Sequence, residues 1–355
     1  MERLNEKQWK AVPIDDLADV DSGHDIYAQD RIKGETPYVT SGTANNGIGY
    51  FVGNENDSLT ANAISVNRNG AVGEAFYHPY LALYGNDCRR LTLRKDRRAG
   101  TQIFVARAVS QQKRAFSYSR KLGTARLKRL HVMLPVDDKS KPDYAYMTLY
   151  STEMRGGMLM RYKNFIAGQL SQLEHKDIPA LDEKKWDEFV LDDIFTVGAG
   201  KRLETRNKVE GMRPFIGATD NGNGVTGFVG NDNASKDSNV LGVNYDGAPC
   251  VAFYHPYECI FTDSVKRLHL KNQEDNKFVL LFFTSIFAMQ RVKYSYGYKF
   301  KEKRMHRQKL MLPVTDGGRP DYEYMEQYVK NMMLHKYEQY LGFIERQSSA
   351  EEVDS

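Results

Sequence analysis

The chain has 355 residues and a net charge of +4, from 50 Lys and Arg against 46 Asp and Glu. That length holds two domains plus connectors, each domain large enough to bury its own core. The most apolar stretch, Phe278 to Met289, is flanked by charge and falls short of the ~20 residues that span a bilayer, which excludes a membrane-embedded class.

Met1-Glu2-Arg3-Leu4-Asn5 lacks the apolar centre of a signal peptide. From Trp9 the chain enters a module that is later repeated. Trp9 matches Trp186, Asp15-Asp16 matches Asp192-Asp193, Gly34 matches Gly211, and Pro37 matches Pro214. Phe51-Val52-Gly53-Asn54 returns as Phe228-Val229-Gly230-Asn231, and Phe76-Tyr77-His78-Pro79-Tyr80 as Phe253-Tyr254-His255-Pro256-Tyr257, all at an offset of 177. One offset across so many segments marks an internal duplication, and two copies suit a pseudo-symmetric two-domain molecule rather than a solenoid. Cys88, Cys250 and Cys259 fall at positions the copies do not share, so the three are read as reduced and the chain as cytoplasmic.

Within each copy, Trp is followed by a short strand pattern, Val12-Pro13-Ile14 or Phe189-Val190-Leu191. Short apolar runs then alternate with Gly and Asn clusters: Pro37-Tyr38-Val39, Asn45-Asn46-Gly47, Tyr50-Phe51-Val52, and Ala63-Ile64-Ser65-Val66. That texture predicts a β-rich body. Asn-Gly at 46–47, 69–70 and 223–224 and Asp-Gly at 246–247 are hairpin signals. The period then changes, and 99–116 and 275–294 each carry apolar residues at helical spacing.

Each of these helices runs into a basic segment. Residues 113–129 hold Lys113, Arg114, Arg120, Lys121, Arg126, Lys128 and Arg129 with no acid. Residues 291–309 hold Arg291, Lys293, Lys299, Lys301, Lys303, Arg304, Arg307 and Lys309 against Glu302 alone. Each segment is therefore +7, which leaves the remainder of the +4 chain at −10. Cations supply sequence-independent affinity for phosphates. Aromatics are interleaved with them, among them Phe116, Tyr118, Tyr294, Tyr296 and Tyr298, which favours nucleic acid over a merely solvated face.

Both copies close on Leu-Pro-Val, at 134–136 and 312–314, followed by Pro142-Asp143-Tyr144-Ala145-Tyr146-Met147 and Pro320-Asp321-Tyr322-Glu323-Tyr324-Met325. Pro then Asp is helix N-terminal chemistry. Met147, Tyr150, Met154, Met158, Tyr162 and Phe165 step by three or four, as do Met325, Tyr328, Met332, Tyr337, Tyr340 and Ile344. Each narrow stripe suits a helix that pairs with another, here its own repeat in an antiparallel pair. Gly156-Gly157, present in the first copy only, predicts a kink there. A helix of about 30 residues spans about 45 Å, somewhat more than the 34–36 Å between half-sites read by a symmetric two-module protein. The expected order is a β-rich domain over 1–136, a helical spacer over 137–180, a second domain over 181–314, a second spacer over 315–347, and a polar, acidic, disordered tail over 348–355. The fold class is mixed α/β.

This arrangement resembles the specificity subunits of type I and type IIB restriction–modification systems. The resemblance rests on the opening segments, 9–23 and 186–200, and on the exits, 123–135 and 297–313, and it covers nearly the whole chain. Pro-Asp-Tyr-x-Tyr-Met stands where the type I pattern has a Glu-Gln-bearing helix, and the spacer is short, so the type IIB subgroup is the nearer likeness. The resemblance implies that each domain binds half of a split site in double-stranded DNA. It also implies that the spacers dock separate adenine-methyltransferase and nuclease subunits, with S-adenosylmethionine and Mg²⁺ in those partners and no cofactor in this chain. The stripe residues Met147, Tyr150, Met154, Tyr162, Phe165, Met325, Tyr328, Met332 and Tyr340 are the docking candidates.

The basic residues named above are the phosphate candidates. Candidate base readers are Asn45, Asn46, Asn67, Arg68, Asn69 and Tyr118 in the first domain and Asn221, Asn223, Asn244, Tyr245 and Tyr296 in the second. Asn amides pair with adenine edges, and Arg68 against Tyr245 is the kind of difference that two half-sites require. Turn chemistry explains the same asparagines equally well. His78 and His255 stand in an apolar aromatic run with nothing at ligand spacing, and are read as structural. Pro142-Asp143 with Glu174-x-Lys176 formally matches a metal-nuclease pattern, but the second copy lacks the lysine. No two of the eleven prolines are adjacent, which removes the Asn/Asp-Pro-Pro-aromatic loop of adenine methylation. The Gly-rich nucleotide and phosphate motifs are missing as well. The chain is therefore expected not to be catalytic by itself. The competing classes are a duplicated binder of RNA or acidic polysaccharide and a stand-alone nuclease.

Overall fold

The structure, a computed structural model, describes residues 2–117, 119–294 and 297–353, with the side chains of 347–353 excepted. The chain divides into two compact units, Met1–Tyr162 and Lys163–Ser355.

The first unit begins with β1 (Trp9–Pro13), α1 (Ile14–Leu17), β2 (Ala18–Ser22), β3 (Lys33–Val39) and β4 (Ile48–Val52). It continues with β5 (Ala63–Asn67), β6 (Ala75–His78), β7 (Leu83–Tyr84), β8 (Cys88–Leu93), α2 (Ala99–Ser110), α3 (Thr124–Lys128) and β9 (His131–Pro135). The long helix α4 (Tyr144–Leu170) follows. Its strands form a four-stranded sheet ordered β2-β8-β5-β6, a three-stranded sheet ordered β4-β3-β7, and the pair β1-β9. That last pair sets the opening Trp9 beside the exit Pro135 in antiparallel register, so the two ends of the module close on each other. Helix α2 lays Val105 and Val109 into a core with Ile64, Val66 and Leu91.

The second unit repeats the scheme. Its elements are β10 (Trp186–Val190), α5 (Leu191–Ile194), β11 (Phe195–Ala199), β12 (Arg213–Ile216), β13 (Val225–Val229), β14 (Val240–Asn244) and β15 (Ala252–His255). Then come β16 (Ile260–Phe261), β17 (Val265–Leu270), α6 (Lys277–Gln290), α7 (Glu302–His306), β18 (Lys309–Pro313) and α8 (Tyr322–Val353). The sheets are again β11-β17-β14-β15, β13-β12-β16 and β10-β18. Asn276 caps α6, its side chain accepting from the backbone N–H of Phe278 at 2.8 Å and of Val279 at 3.3 Å.

The predicted hairpins form, but with longer connections than two-residue turns. Asn46-Gly47 lies in the link between the paired strands β3 and β4, and Asn69-Gly70 in the link between β5 and β6. Asn45, Asn46 and Gly47 all take left-handed backbone, with φ of 50°, 53° and 79°. Ile14 and Leu191 do not extend their strands. Each starts a single helical turn whose first residues include the duplicated Asp pair, which suits a helix N-terminus.

The Pro-Asp-Tyr-x-Tyr-Met motif builds the joint between each module and its long helix. Asp143 accepts from the Tyr146 N–H at 2.9 Å and pairs with Lys7 at 2.9 Å; Asp321 accepts from Tyr324 at 3.0 Å and pairs with Lys184 at 2.7 Å. The Tyr146 hydroxyl donates to the Glu2 carbonyl at 3.0 Å, and that of Tyr324 to Pro179 at 2.9 Å. Met147 and Met325 are fully buried in the cores of their own modules. Replacing Asp143 by Ala removes a cap and a half-buried ion pair, so a loss of about 1–2 kcal/mol of stability is expected in urea unfolding, with α4 fraying from its start.

One expectation fails in the helices. Helix α4 runs unbroken through Gly156-Gly157, where the space around both glycines is open and no kink is imposed. The backbone of α8 is helical to Val353, over part of the 348–355 segment.

Candidate nucleic-acid interface

Three loops distant in sequence converge in the first module: 40–47, 68–74 and 113–122. The Asn67 amide donates to the Gly42 carbonyl at 3.0 Å, and the Ala71 N–H to the Ser41 carbonyl at 3.3 Å. The Leu122 N–H donates to the Arg68 carbonyl at 3.3 Å, and Lys113 pairs with Glu74 at 2.5 Å. The second module repeats the junction with different side chains. There the Asn244 amide donates to Thr219 at 2.9 Å, the Phe300 N–H to Tyr245 at 3.2 Å, Lys299 pairs with Asp246 at 2.6 Å, and Arg291 with Asp220 at 3.3 Å. The Asn/Gly loops and the basic segment of each module thus form one face.

On that face Asn45, Asn46, Asn221 and Asn223 are exposed. Asn223 also donates to the Tyr257 hydroxyl at 3.1 Å. Asn67 and Asn244 are buried, which removes them from the base-reading candidates. Each ends a strand with its amide turned inward, where it supplies the hydrogen bond that a neighbouring loop carbonyl would otherwise lack. Arg68 and Asn69 are half-buried and face Asp87, at 3.9 and 3.4 Å. Tyr245 packs against the module core beneath Lys266, which lies 5.6 Å from its ring. Tyr118 and Tyr296 lie outside the described residues.

The basic segments contain almost no acid, but the fold brings acid to them. Besides the pairs above, Lys128 meets Asp15 at 3.4 Å and Lys309 meets Glu188 at 2.7 Å. Arg126 and Arg304 brace their loops by donating to the carbonyls of Lys121 and Lys299, and Arg304 also lies 3.9 Å over the Tyr298 ring. Lys293 donates to Gln290 at 2.7 Å, and Lys121 is half-buried. Arg114, Arg120, Arg129, Lys301 and Lys303 are exposed, with no side-chain partner among the described residues; Arg307 is exposed and donates only to the Lys303 carbonyl at 3.1 Å. These six are the cations left for an external anion.

Lys201 and Arg202 join them from a loop that sequence reasoning passed over. They follow Gly200, where a Cβ would lie 1.9 Å from the Thr262 carbonyl oxygen, so only glycine allows the loop to leave there. His24 and Asp25 stand at the matching positions of the first module, and this asymmetry was the available signal.

His78 and His255 are fully buried. Nε2 of His78 lies 2.8 Å from the Ser65 hydroxyl and Nδ1 3.1 Å from the Tyr80 hydroxyl. His255 keeps the second contact, to Tyr257 at 3.4 Å, but Gly242 stands where Ser65 would, and Nε2 has no partner among the described residues. Burial pushes both imidazoles down to a pKa of about 4. Among the described residues no group of three His, Cys, Asp or Glu side chains is placed to hold a metal ion. Nor is any described helix long and apolar enough to cross a membrane.

The docking stripe divides in two. Met147 and Met325 are core residues, and Tyr150 and Tyr328 pack edge-on against Phe104 and Phe282 of their own modules at 5.9 and 5.8 Å. Helical spacing marked them correctly as apolar-facing but could not say which surface they face. Tyr162 is half-buried, while Met154, Phe165, Met332 and Tyr340 are exposed further along.

The profile of the family described as the type I restriction modification DNA specificity domain matches residues 6–155 and 183–340, one match per module. The specificity subunit S.BcgI of a type II restriction enzyme from Heyndrickxia coagulans is 37% identical over 322 residues, covering 90% of this chain and 93% of that one. Among solved structures, the S subunit of a type I restriction–modification system from M. genitalium is similar at 18% identity and a TM-score of 0.49, covering 99% of this chain and 95% of that one. The HsdS subunit from Thermoanaerobacter tengcongensis is similar at 10% identity and a TM-score of 0.32, with 96% and 91% covered. With its family's profile matched twice and a relative aligned over nearly its full length, the chain belongs to the type I restriction–modification DNA specificity family, as a specificity subunit with two target-recognition domains.

Proposed function

We propose that each domain reads one half of a bipartite site in duplex DNA through its three-loop face, and that the chain directs separate catalytic subunits to that site. The observation that carries this reading is the duplication of the face: the same loops converge in both modules, on one scaffold, with different exposed side chains. A shared frame with altered contacts is what two unlike half-sites demand. Arg120, Arg129, Lys301, Lys303 and Arg307 would sit on phosphates, and the exposed parts of α4 and α8, with Met154, Phe165, Met332 and Tyr340, would dock a methyltransferase–nuclease subunit. S-adenosylmethionine and Mg²⁺ would belong to that partner, and the complex would work in the cytoplasm. The alignment over most of S.BcgI, the specificity subunit of a type II restriction enzyme, supports a type II setting, and the short spacer makes type IIB the reading we favour.

The test is a selection from a random duplex library at moderate salt, with the chain alone and with any subunit that co-purifies. The expected result is a two-part motif with a fixed gap. Equal binding to RNA or heparin with no motif would sink the reading and leave a polyanion binder in its place.

A further inference from the structure

The turn that follows α2, Lys113–Ala115, and the turn that follows α6, Arg291–Lys293, occupy matched positions 178 apart, and both are single 3₁₀ turns. An aromatic ends each of them in extended backbone and packs on the core: Phe116 with φ −124° and Tyr294 with φ −124°. The first residue of each turn is tied down by a carboxylate, Lys113 by Glu74 and Arg291 by Asp220. A Cβ on Gly73 would lie 3.0 Å from the Lys113 Cα, so the turn rests directly on the 68–74 loop of the three-loop face. The middle residue of each turn is left pointing away from the module. In the first module it is Arg114, exposed and without a partner among the described residues; in the second it is Val292, 93% exposed.

The turn is held at the same place in both modules, so a change from Arg to Val there alters what that place can contact while the frame stays fixed. Two different base edges call for such a change on a shared frame. Arg forms a bidentate pair with guanine O6 and N7, and a small apolar side chain packs on the 5-methyl of thymine. We propose that position 114/292 is a specificity determinant: Arg114 reads a guanine in the first half-site, and Val292 the methyl of a thymine in the second. This inference rests on the proposed DNA-reading function and moves Arg114 out of the phosphate set.

The experiment uses the full chain with its co-purifying subunit, in the same duplex selection, with Arg114→Ala and Val292→Ala; both residues are exposed, so both variants are expected to fold. Arg114→Ala should relax one G·C position in one half-site by about 5-fold to 150-fold in discrimination and leave the other half-site intact. For Val292 the probe is the selected duplex with thymine replaced by uracil in the second half-site. Loss of one methyl should weaken the wild-type complex about 4-fold and leave the Val292→Ala complex unchanged. If Arg114→Ala instead weakens binding to every sequence equally and lowers the salt slope by about one, it is a phosphate contact. If no thymine-to-uracil change distinguishes wild type from Val292→Ala, that half of the assignment falls; in either case the DNA-reading function stands. Failure of the wild-type protein to recover a two-part motif would overturn the function itself and this assignment with it.

Discussion

Acidification from pH 7.5 to pH 5 is expected to destabilise the first module by about 2 kcal/mol through His78 alone. Burial holds this imidazole at a pKa of about 4, against an ordinary value near 6.5. Between those values the unfolded chain binds the proton and the folded module does not. Stability is therefore full above about 6.5, falls as the pH drops through the window, and stops falling below about 4. Burial works to raise Asp143 and Asp321, but Lys7 and Lys184 together with the Tyr146 and Tyr324 N–H groups outweigh it and hold both carboxyls below the ordinary range, so their contribution is lost only at lower pH. The second module carries the same liability in His255 together with an opposing group. His269 resists burial through Asp237 and Asp275, at 3.0 and 2.7 Å, and its pKa is raised. A raised folded pKa adds stability that is present at low pH and lost as the pH rises, so His269 offsets part of the loss from His255. The first module should consequently unfold ahead of the second as the pH falls. The chain has two tryptophans, one per module, so Trp9→Phe and Trp186→Phe variants report each module's urea midpoint by fluorescence. Equal midpoint shifts in both modules between pH 7.5 and pH 5, or none, would contradict this account.

The duplication made much of the fold legible, because each feature could be read twice. Trp9 beside Pro135 and Trp186 beside Pro313 show why opening and exit motifs travel together: they are neighbours in one two-stranded sheet. The same reading failed where a contact spans a long sequence separation. Glu74 lies 39 positions from Lys113 and Glu188 lies 121 from Lys309, so a local count of charge showed unbalanced cations where the fold supplies partners. Asn67 and Asn46 look alike in sequence, both beside glycine-rich turns, yet one faces inward at a strand end and the other stands exposed in left-handed backbone. Periodicity likewise found the apolar face of α4 and α8 but could not tell Met147, in the core, from Met154, on the surface.

The cations that survive this sorting give the second large effect. Lys301, Lys303 and Arg307 are exposed, lie on or beside the short helix α7, and have no carboxylate partner among the described residues. Each phosphate they neutralise releases a condensed counterion, so each adds about 0.9 to the slope of log affinity against log salt. At 0.1 M salt that is roughly 8-fold in affinity per contact, taking the electrostatic gain to vanish near 1 M. Replacing all three by Gln should therefore weaken DNA binding by about two to three orders of magnitude at 0.1 M salt and reduce the slope by about three. Binding to specific and random duplexes should fall together, because phosphates carry no sequence information. The fold should be untouched, since these side chains make no ion pair among the described residues, unlike Lys299 and Lys309, whose loss would strand Asp246 and Glu188. Affinity measured at several salt concentrations for wild type and the triple variant decides the matter. A variant that keeps the wild-type slope would mean that these cations never meet the backbone, and the DNA path across the second module would have to be sought along Lys201 and Arg202 instead.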